Sequence, residues 1–313
     1  MPRPLAFFGG ASIIGWGVSL PPQVLTTADL AGSLATSEEW ILERTGIQQR
    51  HVGGTTATLA VEAGRIALAR GQVDPATVDA LILATTTPER LVPATASSVQ
   101  HGLDLCCGAM DLNAACSGFV YALTAAFGLI SIGARRVLVV GSDVMTQLTD
   151  PLDRDTAILF GDGAGAVVLE GSDRGSRLLG WDMRSDGSAS GLLYAEHGSL
   201  MKMNGREVFR QAVRLMADSA RRAMAAAGVT PQDVAIMVPH QANYRITQAL
   251  CDRLEIPLER TVSTVHRTGN TSSASVPIAL ANALDERRIA RNDIVLFAGF
   301  GAGMSVGAAV LRW

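Results

Sequence analysis

Cysteine is scarce in this 313-residue chain, and its four copies, Cys106, Cys107, Cys116 and Cys251, form no CxxC pair. Such spacing supplies neither a zinc site nor a disulfide framework. An excess of one charge is missing as well. The formal net charge is −3 and the sequence pI about 6.0, a balance that gives no support to nucleic-acid binding. No apolar run is long enough to cross a bilayer. The most apolar segment, Phe119 to Ile132, reads as a buried core helix. The opening Met-Pro-Arg-Pro-Leu-Ala-Phe-Phe does not resemble a signal sequence, so a soluble cytoplasmic protein with no membrane attachment is expected. Neither Gly161-Asp-Gly-Ala-Gly nor Gly299-Phe-Gly-Ala-Gly completes GxGxxG, which leaves dinucleotide binding unsupported. What is present is 48% hydrophobic and 18% charged residues, ample for one large or two medium domains with a full core.

The periodicity alternates between strand and helix. Residues 11–20 read as a strand ended by Pro21-Pro22, and Thr27 starts a short helix with Asp29 in its first turn. A second helix follows Ser37 as N-cap and stops at Gly46. Thr56 to Arg70 is helical, with Gly71 past its end. Asp79 to Thr86 is a strand whose continuous apolar run marks a sheet covered on both faces. Thr95 to His101 reads as helix, Ala109 to Leu112 as strand and Ser117 to Ile132 as helix. The strand Arg136 to Gly141 precedes a hairpin-like pair around Ile158 to Leu169. The second half repeats the plan. Helices are expected at Glu207 to Ala227, Asn243 to Leu254 and Ser272 to Leu284, and strands at Val234 to Val238, Val262 to Val265, Asp293 to Gly303 and Ser305 to Leu311. Alternation of this kind argues an α/β layered fold.

Overlaying the strand starts Asp79 and Asp233 places His240 on Thr86 and Asn270 on Cys116. Gly161-Asp-Gly-Ala-Gly likewise recurs as Gly299-Phe-Gly-Ala-Gly. So long a period is not a solenoid, and the chain reads as two fused, similar halves, 1–172 and 173–313. In a pseudo-twofold pair matching helix entries face one cleft, which makes Cys116 and Asn270 neighbours.

Cys116 falls at a strand-to-helix turn beside the first free N–H groups of a buried helix. The positive end of the macrodipole there is expected to favour the thiolate and lower the thiol pKa. A lone free cysteine is more often a small core residue, but here it has partners. Cys116, His240 and Asn270 offer a soft nucleophile and two groups able to donate hydrogen bonds. His240 follows Pro239 directly after a buried strand, whereas His51, His101, His197 and His266 read as structural.

Asn113-Ala-Ala-Cys-Ser-Gly-Phe, Pro239-His-Gln-Ala-Asn-Tyr-Arg-Ile and Gly269-Asn-Thr-Ser-Ser-Ala-Ser-Val-Pro resemble β-ketoacyl-acyl-carrier-protein synthase III, on the thiolase fold. Ser37 to Ile47 and Phe160-Gly-Asp-Gly-Ala-Gly-Ala-Val match too, so the resemblance spans essentially the whole chain. It implies a layered α-β-α-β-α architecture, a homodimer, and a triad of Cys116, His240 and Asn270. It also implies an oxyanion hole from the backbone N–H groups of Cys116 and Ala302, and no metal or redox cofactor. Acyl-CoA and malonyl-acyl-carrier protein are the substrates that the resemblance implies. Trp40 and Arg154 would sandwich the adenine of CoA, while Thr36, Arg44, Gly205, Phe209 and Asn243 line the pantetheine path. Val92, just before Pro93, would gate the acyl tunnel of the partner subunit. Two departures stand out: Ser117 where the family often has Ala, and Ala302 in the closing glycine run. Spacing alone adds a basic stripe, Arg206, Arg210 and Arg214 at i, i+4 and i+8. Arg221, Arg222 and Arg245 extend it. Such a stripe is usually a solvated face. Against an acidic carrier protein, Arg210, Arg214 and Arg245 form an equally good docking surface.

Other chemistries fit less well. The order Cys, His, Asn is also that of papain-like proteases, but those place the cysteine near the mature N-terminus. Gly303-Met-Ser-Val-Gly matches GxSxG, yet no helix has room to follow and no His or Asp remains downstream. A non-enzymatic CoA-binding protein would not need all three of Cys116, His240 and Asn270. A synthase III-like enzyme of secondary metabolism, with another primer or acceptor or transferring acyl groups without decarboxylation, stays open.

Overall fold

The computed structural model describes residues 9–173 and 177–313. The eight N-terminal residues considered above as a signal sequence lie outside them. Strand β1 (Ala11–Ser19) leads into the small pair β2 (Gln23–Thr26) and β3 (Gln49–Val52), which brackets helices α1 (Thr27–Ser33) and α2 (Glu38–Thr45). Then come α3 (Thr56–Arg70), β4 (Ala80–Ala84), α4 (Thr95–Gly102), β5 (Gly108–Leu112), α5 (Gly118–Ser131) and β6 (Arg136–Val144). The short helix α6 (Arg154–Ala157) precedes β7 (Asp162–Gly171). Beyond it lie β8 (Arg177–Arg184), the two-residue strands β9 (Leu193–Tyr194) and β10 (Lys202–Met203), α7 (Gly205–Ala227) and β11 (Val234–Pro239). Helices α8 (Tyr244–Leu254), α9 (Val265–Thr268) and α10 (Ser275–Asp285) and strands β12 (Ile294–Gly301) and β13 (Ser305–Arg312) complete it.

Two sheets repeat one order. The first runs β1-β7-β6-β4-β5 and the second β8-β13-β12-β11. In each, a parallel pair (β4 with β6, β11 with β12) adjoins two antiparallel ones, and the first sheet adds β5 parallel to β4. Strand alternation then sorts side chains by layer. Val137 and Val139 of β6 face a central core with Val295 and Phe297 of β12, and α5 and α10 fill the space between the sheets. Leu138 and Val140 turn instead toward α3 and α4 on one outer face. Leu296 and Ala298 turn toward α7 and α8 on the other. The result is the expected five-layer α-β-α-β-α arrangement. Both faces of each sheet's central strands are covered, which is why β4, β6, β11 and β12 read as apolar runs.

Three sequence expectations are corrected. The segment Ile158 to Leu169 is not a hairpin, because β7 is a single ten-residue strand lying between β1 and β6. Its glycines make room rather than a turn: a Cβ at Gly165 would stand 2.8 Å from the backbone N of Ile278 in α10. Val262 to Val265 is not a strand either. The second sheet ends there in one bridge, Met237 to Thr261, and Val265 already opens α9. Gln241 holds that segment, accepting from the Thr264 and Val265 N–H groups and donating to Val262 O. The two glycine motifs, finally, are not structural equivalents. Gly161 to Gly165 opens β7, whose counterpart is β13, whereas Gly299 to Gly303 closes β12.

Candidate active site

Cys116 sits in a one-turn 3₁₀ segment, Ala115–Ser117, between β5 and α5, with Ala115 forced to a positive φ of 48°. Ser273, just past Asn270 at the entry to α10, is the matching element: a Cβ on Gly118 would meet its Cβ at 3.6 Å. The helix entries of the two halves therefore touch, as the overlay of the halves anticipates. A third element closes on the same turn. A Cβ on Gly301 at the end of β12 would stand 2.5 Å from the Cys116 N, and one on Gly299 would stand 2.9 Å from the Ser117 Cα. Only glycine permits that approach. Two glycines on one face of a buried strand were the signal available in the sequence.

Cys116, His240, Asn270 and Ala302 line one cavity of about 1190 Å³. His240 is the only one of the five histidines that does so. Its backbone N–H donates to Ala298 O at 2.8 Å, which ties the end of β11 to β12. Burial pushes its pKa down to about 3, so the ring is neutral near pH 7. Asn270 is held through its backbone, which donates to Leu159 O at 2.9 Å and accepts from the Gly161 N–H at 3.0 Å. Its side-chain Oδ1 accepts from the Ser272 N–H at 2.9 Å, which fixes the amide and commits Nδ2 to donation. Cys116 and Ala302 each lie in the first turn of a single-turn 3₁₀ segment, where backbone N–H groups have no intrahelical acceptor.

The expected lowering of the Cys116 pKa is overturned. Burial pushes the thiol up to about 12, and the Asp143 carboxylate adds to the rise. The Ser272 hydroxyl, which makes no well-formed hydrogen bond, partly offsets it through the thiol. Cys116 is 8% exposed, and at that burial desolvation outweighs the helix terminus. Asp143 itself escaped notice in the sequence, although a carboxylate inside a buried strand is a signal. Its Oδ1 accepts from the Thr85, Thr86 and Thr87 hydroxyls and the Thr86 N–H, and its Oδ2 from the Ser273 N–H and hydroxyl. It thereby joins a cavity-wall residue, Thr86, to the turn that follows Asn270.

At the cavity mouth stand Trp40, Arg44, Gly205, Phe209, Asn243 and Arg245. Asn243 caps α8 and donates from Nδ2 to Arg44 O at 2.9 Å, linking α2 to α8. The Trp40–Arg154 sandwich is closed here. The Arg154 guanidinium lies 4.8 Å from the Trp40 ring centroid and that of Arg44 lies 4.4 Å away. A base stacked between ring and guanidinium needs roughly 7 Å, two van der Waals separations, so Arg154 must swing aside to admit one. Thr36 does not line the cavity, and its N–H turns back to Ala31 O. Val92 is 82% exposed on the loop between β4 and α4 and also stands apart from this cavity. Arg210 and Arg214 lie exposed on α7, Arg210 paired with Glu207 at 2.7 Å, and neither lines the cavity. Among the described residues, no group of three or more His, Cys, Asp or Glu is placed to hold a metal. No helix among them is long and apolar enough to cross a membrane.

The chain resembles known proteins over nearly its whole length. Residues 110–187 match the model of 3-oxoacyl-[acyl-carrier-protein] synthase III, and residues 224–313 match that of its C-terminal part. The β-ketoacyl-[acyl-carrier-protein] synthase III of Roseiflexus sp. (strain RS-1) is 46% identical, over 97% of this chain and 98% of the relative. The chain belongs to the β-ketoacyl-acyl-carrier-protein synthase III family. The crystal structure of the Aquifex aeolicus VF5 synthase III superposes with a TM-score of 0.95 at 43% identity, over 97% of this chain and 100% of that one. For the synthase III of Pseudomonas aeruginosa PAO1 the values are 0.93 and 42%, over 97% and 98%. The fold is thus thiolase-like, and the protein is an acyltransferase-type condensing enzyme.

Proposed function

We propose that this synthase III joins an acyl-CoA primer to malonyl-acyl-carrier protein by decarboxylative Claisen condensation, initiating fatty acid synthesis. The observation that carries the reading is the convergence of Cys116, His240 and Asn270 on one cavity whose mouth is basic and aromatic. Cys116 attacks the thioester carbonyl, CoA departs as the thiol with the cysteine's proton, and the acyl group stays on sulfur. The Cys116 and Ala302 N–H groups hold the oxyanion. Malonyl-acyl-carrier protein then enters and loses carbon dioxide, and the electron pair of the broken bond forms an enolate on the thioester. His240 and the Asn270 Nδ2 donate to that enolate oxygen. Its carbon attacks the acyl-cysteine and expels the cysteine sulfur, leaving β-ketoacyl-acyl-carrier protein. The chemistry asks for no metal or redox cofactor. We read 1–172 as the half carrying the nucleophile and 173–313 as the half carrying its two donors, in a cytoplasmic homodimer. Intact-protein mass spectrometry with a panel of acyl-CoAs, followed by malonyl-acyl-carrier protein, tests the scheme. It requires an acyl adduct that disappears as the β-ketoacyl product forms.

The carrier-protein surface carries its own expectation. Arg245 lines the cavity shared with CoA, so the separable part of the basic stripe is Arg210 and Arg214. Arg210→Glu with Arg214→Glu should raise KM for malonyl-acyl-carrier protein on the order of tenfold and weaken its salt dependence, leaving acyl-CoA loading unchanged. Equal losses in both half-reactions would reject the docking role.

Primer choice turns on Val92. By resemblance to the family this residue would reach the partner's acyl tunnel, and here it is small and β-branched. Apolar volume beyond acetyl is then available, and each extra buried methylene is worth about 0.8 kcal/mol, or roughly fourfold in kcat/KM. Branched or medium-length primers should be used alongside or ahead of acetyl-CoA, and Val92→Phe should shift preference back to acetyl. A strict acetyl preference in the wild type would sink the idea.

A further inference from the structure

One hydroxyl contacts His240 and has no part in the scheme so far. Ser275, the first residue of α10, is 1% exposed, and its Oγ lies 2.6 Å from His240 Nδ1. The same Oγ accepts from the Gln241 N–H at 3.3 Å. That bond occupies one of the oxygen's two lone pairs, and the hydroxyl proton has no partner among the described residues other than His240 Nδ1. The acceptor within reach is Nδ1. A neutral imidazole carries one N–H, so an Nδ1 that accepts forces the proton onto Nε2. The backbone around it is held as firmly. Gln241 donates from Nε2 to Pro239 O at 2.7 Å and to Val262 O at 3.2 Å, and its Oε1 takes the Thr264 and Val265 N–H groups. With this side chain committed at both ends, the His240–Gln241 turn has little freedom to bring the Gln241 N–H elsewhere.

We propose that Ser275 is a positioning residue that sets the tautomer of His240, holding the imidazole as the Nε2–H form that donates to the malonyl thioester oxygen. The proposal rests on the reading of His240 as an enolate-stabilising donor. Without the hydroxyl, Nδ1 has no donor facing it, and the Nδ1–H tautomer offers the substrate oxygen a lone pair in place of a proton. Loading of Cys116 is spared, because that half-reaction draws on the two backbone N–H groups.

The test compares wild type, Ser275→Ala, Ser275→Thr and His240→Ala in the full-length protein, with three readings on each. These are acylation from acyl-CoA, decarboxylation of malonyl-acyl-carrier protein, and the ¹⁵N spectrum of histidine-labelled protein, in which His240→Ala identifies the signal. Ser275→Ala should acylate within about twofold of wild type, decarboxylate about ten- to a hundredfold more slowly, and lose the Nε2–H signature. Ser275→Thr, which restores the hydroxyl, should recover both rate and signature. An unchanged tautomer in Ser275→Ala overturns the proposal whatever the rate does. A His240→Ala that decarboxylates at the wild-type rate overturns instead the reading of His240 on which it rests. The two failures are thus told apart.

Discussion

Incubated with a suitable acyl-CoA, the wild-type chain should gain one acyl mass per subunit, and Cys116→Ala should gain none. The other three thiols are poor substitutes for different physical reasons. Cys106 is exposed and Cys107 half-buried just before β5, and neither lines the cavity. Cys251 is buried in α8 against the Thr261 hydroxyl at 3.3 Å, with its pKa raised by burial. Only Cys116 combines a cavity wall with two free N–H groups for the oxyanion. Condensation by Cys116→Ala should fall by at least about 10³-fold, since a nucleophile is not replaced by binding energy alone. A stable adduct on Cys106, Cys107 or Cys251 would reject the assignment.

The raised thiol pKa adds a pH signature. A thiol at about 12 is ionised on the order of 10⁻⁵ at pH 7. A raised pKa favours the protonated form, so the thiolate fraction climbs as pH rises toward it. Alkylation of the free enzyme by iodoacetamide should accelerate about tenfold per pH unit from 7 to 9 without a plateau. A plateau near neutrality would mean that a base or the helix terminus ionises the thiol before substrate arrives.

Much of the fold was legible because its signals are local. Ser37 and Gly46 bound α2, with the Ser37 hydroxyl accepting from Trp40 N–H and Gly46 at φ 69°. Helix α3 spans Thr56–Arg70 as its periodicity predicts. Elements whose identity depends on distant partners were harder to read. Strand β8 is an edge strand with one neighbour, and its half-exposed sequence carries no unbroken apolar run. Gly161 and Gly163 suggested a turn, whereas β7 is one continuous strand; Gly161 just before it makes room for α9, and Gly163 and Gly165 within it for α10. The candidate site divides the same way. Its principal residues were visible as motifs at strand ends. The Cys116 environment was not, because desolvation depends on β12 closing over the turn from 185 residues downstream. Ser275 lay inside the motif Gly269 to Pro277 but nothing in the sequence paired it with His240. It meets His240 only because α10 begins where β11 ends, 35 residues apart in sequence.

The division of labour between the two half-reactions is the sharper test of the mechanism. His240→Ala and Asn270→Ala each remove one donor to the malonyl thioester oxygen and should slow decarboxylation about 10²- to 10³-fold. That corresponds to roughly 2.7–4 kcal/mol of lost transition-state stabilisation. Acylation of Cys116 should drop far less, because on the proposed scheme the oxyanion of that step would be held by main-chain N–H groups that neither substitution removes. The two variants should also differ in how cleanly they report. His240 is fixed from outside its ring by the backbone bond to Ala298, so truncating the imidazole leaves the strand end in place. Asn270 accepts the Ser272 N–H through its own side chain. Asn270→Ala therefore frees that N–H and loosens the turn beside Cys116, giving a moderate acylation defect that His240→Ala lacks. Asn270→Asp keeps an oxygen for Ser272 while converting the amide donor to a carboxylate. It should acylate nearly normally and decarboxylate as poorly as Asn270→Ala, or worse, because a second negative charge then faces the enolate. Single-turnover acylation measured beside carbon dioxide release resolves the two rates. If His240→Ala and Asn270→Ala failed to acylate yet decarboxylated malonyl-acyl-carrier protein normally, the roles assigned to the two halves of the cavity would be reversed.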